Sequence, residues 1–79
     1  MNAAAIPDTT TAPIISNATW YPGGRISGVT GEFGFGVVTS KVERVWHGAD
    51  GLPAIRTASG SVYRLIMAAG IPAPIAGEY

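Results

Sequence analysis

Cysteine is absent from the 79-residue sequence and histidine occurs once. Neither a disulfide nor a structural zinc site built from cysteine and histidine is therefore available to staple the fold. Long apolar runs are missing too. The stretch from Leu65 to Ala76 falls short of the roughly 20 residues that span a bilayer, and Pro72 and Pro74 would break a helix there. Met1 to Pro13 has neither a basic start nor an unbroken apolar stretch, so no secretory signal is expected and the chain reads as cytoplasmic, without a membrane partner. The Asn17-Ala18-Thr19 sequon then carries no weight. Charge of either sign is sparse, with five basic and five acidic residues giving a net charge of zero. That balance speaks against a polyanionic DNA mimic and equally against a strongly basic, non-specific nucleic-acid binder, which needs many phosphate contacts.

A chain this short buries a small share of its surface, so stability must come from well-formed hairpins or from homodimerisation that completes a thin core. Residues 1–12 show neither helical nor strand periodicity and are expected to form a disordered arm. Residues 68–79 are punctuated by Gly70, Pro72, Pro74 and Gly77 and read as an extended, disordered tail. Ile71, Ile75 and Tyr79 offer that tail apolar points for packing on the sheet or on a neighbour.

The body, residues 13–67, gathers Val, Ile, Thr, Tyr, Phe and Trp in short runs separated by glycines, the pattern of an all-β protein. Strands are expected at Ile14 to Trp20, Arg25 to Thr30, Phe35 to His47, Leu52 to Thr57 and Ser61 to Met67. The last joint, Ala58-Ser59-Gly60, suits a type I turn followed by a left-handed residue, with Gly60 in the left-handed place and Thr57 paired with Ser61. Ile55 then lies opposite Tyr63 and shares a face with Thr57 and Leu65, while Arg56 and Arg64 flank Val62 on the other face. The long stretch from Phe35 to His47 has no purely apolar face in either phase, which calls for a bulge or a sharp bend. A small antiparallel sheet, or an open SH3-like barrel of about five short strands, accommodates such a bend.

Candidate chemistry is thin. His47 has only Asp50 near it in sequence, and the intervening turn favours a loop hydrogen bond over a site. The segment Gly31-Glu32-Phe33-Gly34-Phe35-Gly36 fits no phosphate-binding fingerprint and reads as a glycine-rich turn carrying Phe33 and Phe35 to opposite sides, one ring buried and one exposed. Ser40, Ser59 and Ser61 have no placed histidine–carboxylate pair. An enzyme is not expected, nor a cofactor, a metal or a small-molecule substrate. Between Ala18 and Ile66 the cations Arg25, Lys41, Arg44, Arg56 and Arg64 outnumber the anions Glu32, Glu43 and Asp50, so the body is mildly basic. With Trp20, Tyr21, Trp46 and Tyr63 they could form a nucleic-acid platform, but the cations are dilute and such rings are more often core, so direct nucleic-acid binding is disfavoured.

The run Thr39-Ser40-Lys41-Val42, followed by Ile55-Arg56-Thr57-Ala58-Ser59-Gly60-Ser61-Val62-Tyr63-Arg64-Leu65, resembles a pattern in small proteins encoded by phages and prophages, and among these the anti-CRISPR proteins of the type I-C inhibitor group. The resemblance covers roughly the second half of the chain. It implies a non-catalytic inhibitor that binds a Cascade-type surveillance complex in the cytoplasm of an infected or lysogenic host and hinders target-DNA engagement. No catalytic or cofactor residue comes with it. Contacts to a basic DNA-handling surface would fall to Glu32, Glu43 and Asp50, helped by an exposed Phe33 or Phe35; alternatively, Arg56 and Arg64 would grip an acidic part of the complex. A phage structural or assembly accessory protein and a small nucleic-acid-binding β-barrel are the alternatives.

Overall fold

The computed structural model describes residues 11–31 and 34–79. Among these residues seven strands form one mixed, open sheet: β1 (Ile14–Tyr21), β2 (Arg25–Thr30), β3 (Phe35–Val38), β4 (Val42–His47), β5 (Pro53–Thr57), β6 (Val62–Met67) and β7 (Gly77–Glu78), in the order β3-β2-β1-β6-β5-β4-β7. All neighbours are antiparallel except β1 and β6, which are parallel. The all-β class thus stands, but the parallel pairing of β1 with β6 makes the sheet mixed where a purely antiparallel one is expected, and it has more strands than the sequence suggests. Two causes account for the difference. The stretch from Phe35 to His47 divides into two strands, and the C-terminal segment supplies a seventh.

The division falls at 39–41. Buried Thr39 makes the corner: its N–H donates to the Ile26 carbonyl at 2.8 Å, its Oγ1 accepts the Ile26 N–H at 3.0 Å, and its hydroxyl donates to the Ser40 carbonyl at 2.7 Å. Beyond it the sheet coils until the Val42 N–H reaches the Gly24 carbonyl at 2.9 Å. The β5–β6 turn clamps the corner from the other side, through Ala58 N–H to the Lys41 carbonyl at 2.8 Å and Ser40 Oγ to Ser59 Oγ at 3.1 Å. These serines are structural members of a turn.

The second irregularity is a bulge. Val42 pairs with Thr57 and Arg44 with Arg56, so Glu43 is the extra residue of β4. It flips the alternation and puts both Val42 and Val45 inward, which is why no single phase of the long stretch reads as apolar. A matching bulge in β1, where Asn17 takes φ 53°, lets Ile15 and Ala18 both point inward. Gly28 lies opposite it. The core is Ile15, Ala18, Ile26, Val42, Val45, Ile55 and Leu65, with Val37, Tyr63 and Met67 packed against it. Burying each large aliphatic side chain contributes about 1.5–3 kcal/mol.

The β5–β6 hairpin has the expected register. Ile55 faces Tyr63 and Arg56 faces Val62; Thr57 N–H donates to the Ser61 carbonyl at 2.9 Å, and Gly60 has φ 87°. The expected disordered C-terminal tail is corrected by the pairing of β7 on β4, Arg44 with Glu78 and Val45 with Gly77, completed by Tyr79 N–H donating to the Glu43 carbonyl at 2.8 Å. The Tyr79 ring stacks on Trp20, centroids 6.0 Å apart, so the chain end joins the two limbs of the coiled sheet. Of the expected N-terminal arm, residues 1–10 lie outside the described residues. Thr11 and Ala12 lead into β1.

Candidate partner-binding surface

The residues singled out in the sequence come to different places. Glu32 and Phe33 lie outside the described residues. Phe35 is 65% exposed at the start of β3. Glu43 is half-buried in the bulge near the start of β4, whereas Asp50 sits in the turn after that strand ends. The two carboxylates therefore do not form a joint acidic patch.

Asp50 and Arg64, by contrast, meet. Asp50 Oδ1 accepts the Leu52 N–H at 3.0 Å, closing the β4–β5 turn, and Oδ2 pairs with Arg64 Nη1 at 3.1 Å. The Leu52 N–H first, and then the Arg64 guanidinium, hold the Asp50 carboxyl below the usual aspartate value. The same guanidinium donates from Nε and Nη2 to the Ala12 carbonyl at 2.9 and 2.8 Å. Arg64 is thus a clamp that ties the segment before β1 to β6 and to the β4–β5 turn, with every nitrogen of its fork engaged. His47 is exposed and takes no part, and the expected loop hydrogen bond forms between Asp50 and Leu52 instead.

Arg56 behaves differently. It is exposed and sits directly across the strand pair from Arg44, on the sheet face opposite the aliphatic core. Like charges in such a pair repel. The Arg44 guanidinium lies over the Trp46 ring, 5.5 Å from its centroid, which relieves the opposition by a cation–π contact. Trp46 is buried, and its indole N–H finds no hydrogen-bond partner among the described residues. Glu78 is Arg44's register partner on the other side, yet the ion pair found among the described residues is Arg64–Asp50. The outcome is a pair of opposed arginines, Arg44 and Arg56, with Glu78 across from Arg44 on β7 and neither arginine in an ion pair among the described residues. Arg44 was the residue missed, because its pairing with Arg56 depends on the Glu43 bulge, which shifts the register by one.

A second exposed group lies on the β1–β2 hairpin. Trp20 (40% exposed) stacks on Tyr79 (48% exposed), and the Arg25 guanidinium lies 4.8 Å over Tyr21 while its Nε donates to the Pro22 carbonyl at 3.0 Å. Among the described residues no group of three or more His, Cys, Asp or Glu side chains is placed to hold a metal ion, and no helix is long and apolar enough to cross a membrane. Fold and surface define the class only as far as a small mixed-sheet β protein with an opposed pair of arginines, half-buried Arg44 and exposed Arg56, on its outer face. Compared with protein families, curated proteins and solved structures, the chain matches no family model, no curated protein and no solved structure.

Proposed function

We propose that the chain is a non-enzymatic binding protein that uses the ridge of Arg44 and Arg56 to hold an acidic surface of a larger protein assembly. The observation that carries this reading is the direct opposition of the two arginines across β4 and β5, with Glu78 of β7 across from Arg44 but in no ion pair with it. Such a pair strains the free protein slightly and is relieved by an anionic partner. Arg64, committed to Asp50 and Ala12, contributes shape rather than a contact.

The resemblance of the second half of the chain to type I-C anti-CRISPR proteins supplies the partner: a Cascade-type surveillance complex, in the cytoplasm of an infected or lysogenic bacterial host, whose target-DNA engagement is blocked by occupation. The corner at Thr39 and the hydrogen bond from Val42 to Gly24 support the related reading that the coiled sheet approaches an SH3-like roll. Mixing purified protein with a type I-C Cascade, separating by size and assaying the recovered complex for target-DNA binding tests the proposal. Co-elution with lost DNA binding is expected; separate elution with DNA binding intact refutes it.

The exposed Trp20–Tyr79 stack beside Arg25 favours a second reading, direct contact with single-stranded nucleic acid, where bases stack on rings. That reading requires an affinity for oligonucleotides that falls steeply as salt rises.

A further inference from the structure

We propose that the outer edge of β3 is a strand-docking site and that its occupant is a second copy of this chain, paired antiparallel about a two-fold axis. This surface is separate from the arginine ridge and does not depend on the function proposed above.

Among the described residues β3 ends the sheet on one side. Its register on β2 runs Ser27 with Val38, Gly28 with Val37, Val29 with Gly36 and Thr30 with Phe35, without a shift. The hydrogen bond from Thr39 N–H to the Ile26 carbonyl sets the phase of that ladder. In an antiparallel pair the bonded residues alternate, so Val37 and Phe35 turn their backbone groups toward β2, and Gly36 and Val38 turn theirs outward. Natural sheets guard such edges with lysine, proline, bulges or very short strands. The other edge follows the rule, since β7 is two residues long and includes Glu78. β3 is guarded only by its shortness: residues 35–40 contain no charge and no proline, and Val38 is 47% exposed.

The shape of the strand selects its own copy as partner. With the two-fold axis at Val37, Gly36 of one chain lies opposite Val38 of the other, and the outward backbone groups form about four hydrogen bonds. Above Gly36 no atom of the described residues lies within 4 Å of where a β-carbon would stand. Directly opposed residues share a face, so each Val38 covers the bare Gly36 of its partner. On each chain this contact lies beside a shallow groove lined by Asn17, Thr19, Ser27 and Val29. In this pairing only residues close to the axis come near their own copies, and residues 35–40 carry no charge that could repel there. A four-residue strand makes a short interface, so association is weak and concentration-dependent.

The test follows sedimentation and amide hydrogen exchange of the full chain over a range of concentrations. Dimers should appear as concentration rises, and protection should grow at the Gly36 and Val38 amides while the Val37 amide, already bonded to β2, stays constant. Gly36→Pro removes an outward donor without touching the β2 ladder, and Val38→Lys sets two cations at the contact. Both variants should remain monomeric, with unchanged protection at Val37 reporting an intact sheet. A wild-type chain that stays monomeric at every concentration overturns the proposal. So does a dimer that persists in both variants, or one in which the Gly36 and Val38 amides gain no protection.

Discussion

At Gly28 a β-carbon would stand 2.5 Å from Ile15 Cγ2 and 2.6 Å from the Ser16 carbonyl oxygen. The bulge of β1 presses the strand onto β2 here, and only hydrogen fits between them. Gly28→Ala should therefore destabilise the protein by about 1–3 kcal/mol, read as a lower midpoint in urea. Gly34→Ala, where no atom of the described residues lies within 4 Å but φ is 68°, tests backbone strain and should show a smaller loss. Asp50 makes a prediction of a different kind. Its carboxyl is held below the ordinary 3.8 by the Leu52 N–H and by Arg64, so it is charged more readily in the folded state than in the unfolded one. Its contribution is complete above 3.8 and disappears as pH falls through the lower folded value. Asp50→Asn should melt below the wild type at neutral pH, and the gap should close in acid. A gap of constant size from neutral pH down to full protonation would count against the assigned ion pair.

The elements of this sheet differ in how far their sequences reveal them. The β5–β6 hairpin is legible because its turn, its register and its apolar face are local and agree: Gly60 takes the left-handed place, and Ile55 meets Tyr63 as the alternation requires. The bend in the long stretch is legible as a conflict between its two faces, but its position is not. Thr39 fixes that position through bonds to Ile26, thirteen residues earlier. The parallel pairing of β1 with β6 and the addition of β7 bring together residues far apart in sequence, and the glycines and prolines of 68–79 conceal a strand of two residues. Of the candidate surface, Arg56 could be found from hairpin register alone, whereas Arg44 could not, because the extra residue Glu43 sets its phase. The corner itself can be probed. Thr39→Val keeps the shape but leaves the buried Ile26 N–H without its side-chain acceptor, a loss of about 1–3 kcal/mol, whereas Thr39→Ser should retain most of the stability. Denaturation of the two variants side by side separates the hydroxyl from the packing, and equal losses would deny the hydroxyl its role.

For the whole molecule, near-zero charge and a thin core leave little latitude for features that do not stabilise the fold. Two arginines opposed across neighbouring strands are such a feature, and their presence is intelligible if the free protein gives up stability for a partner's sake. Arg56→Glu turns the repulsion into a cross-strand attraction with Arg44, so the isolated variant should be more stable than the wild type by about 0.2–1 kcal/mol. The same substitution removes half of the cationic ridge and should weaken capture of the acidic partner, while Arg56→Gln should fall between the two in both measurements. Arg64→Gln provides the contrast, since it should loosen the segment before β1 and lower the melting temperature without a specific loss of binding. Thermal melts of the free variants, read against pull-down of the Cascade-type complex, distinguish these cases. A more stable Arg56→Glu that binds as well as the wild type would remove the ridge from the interface.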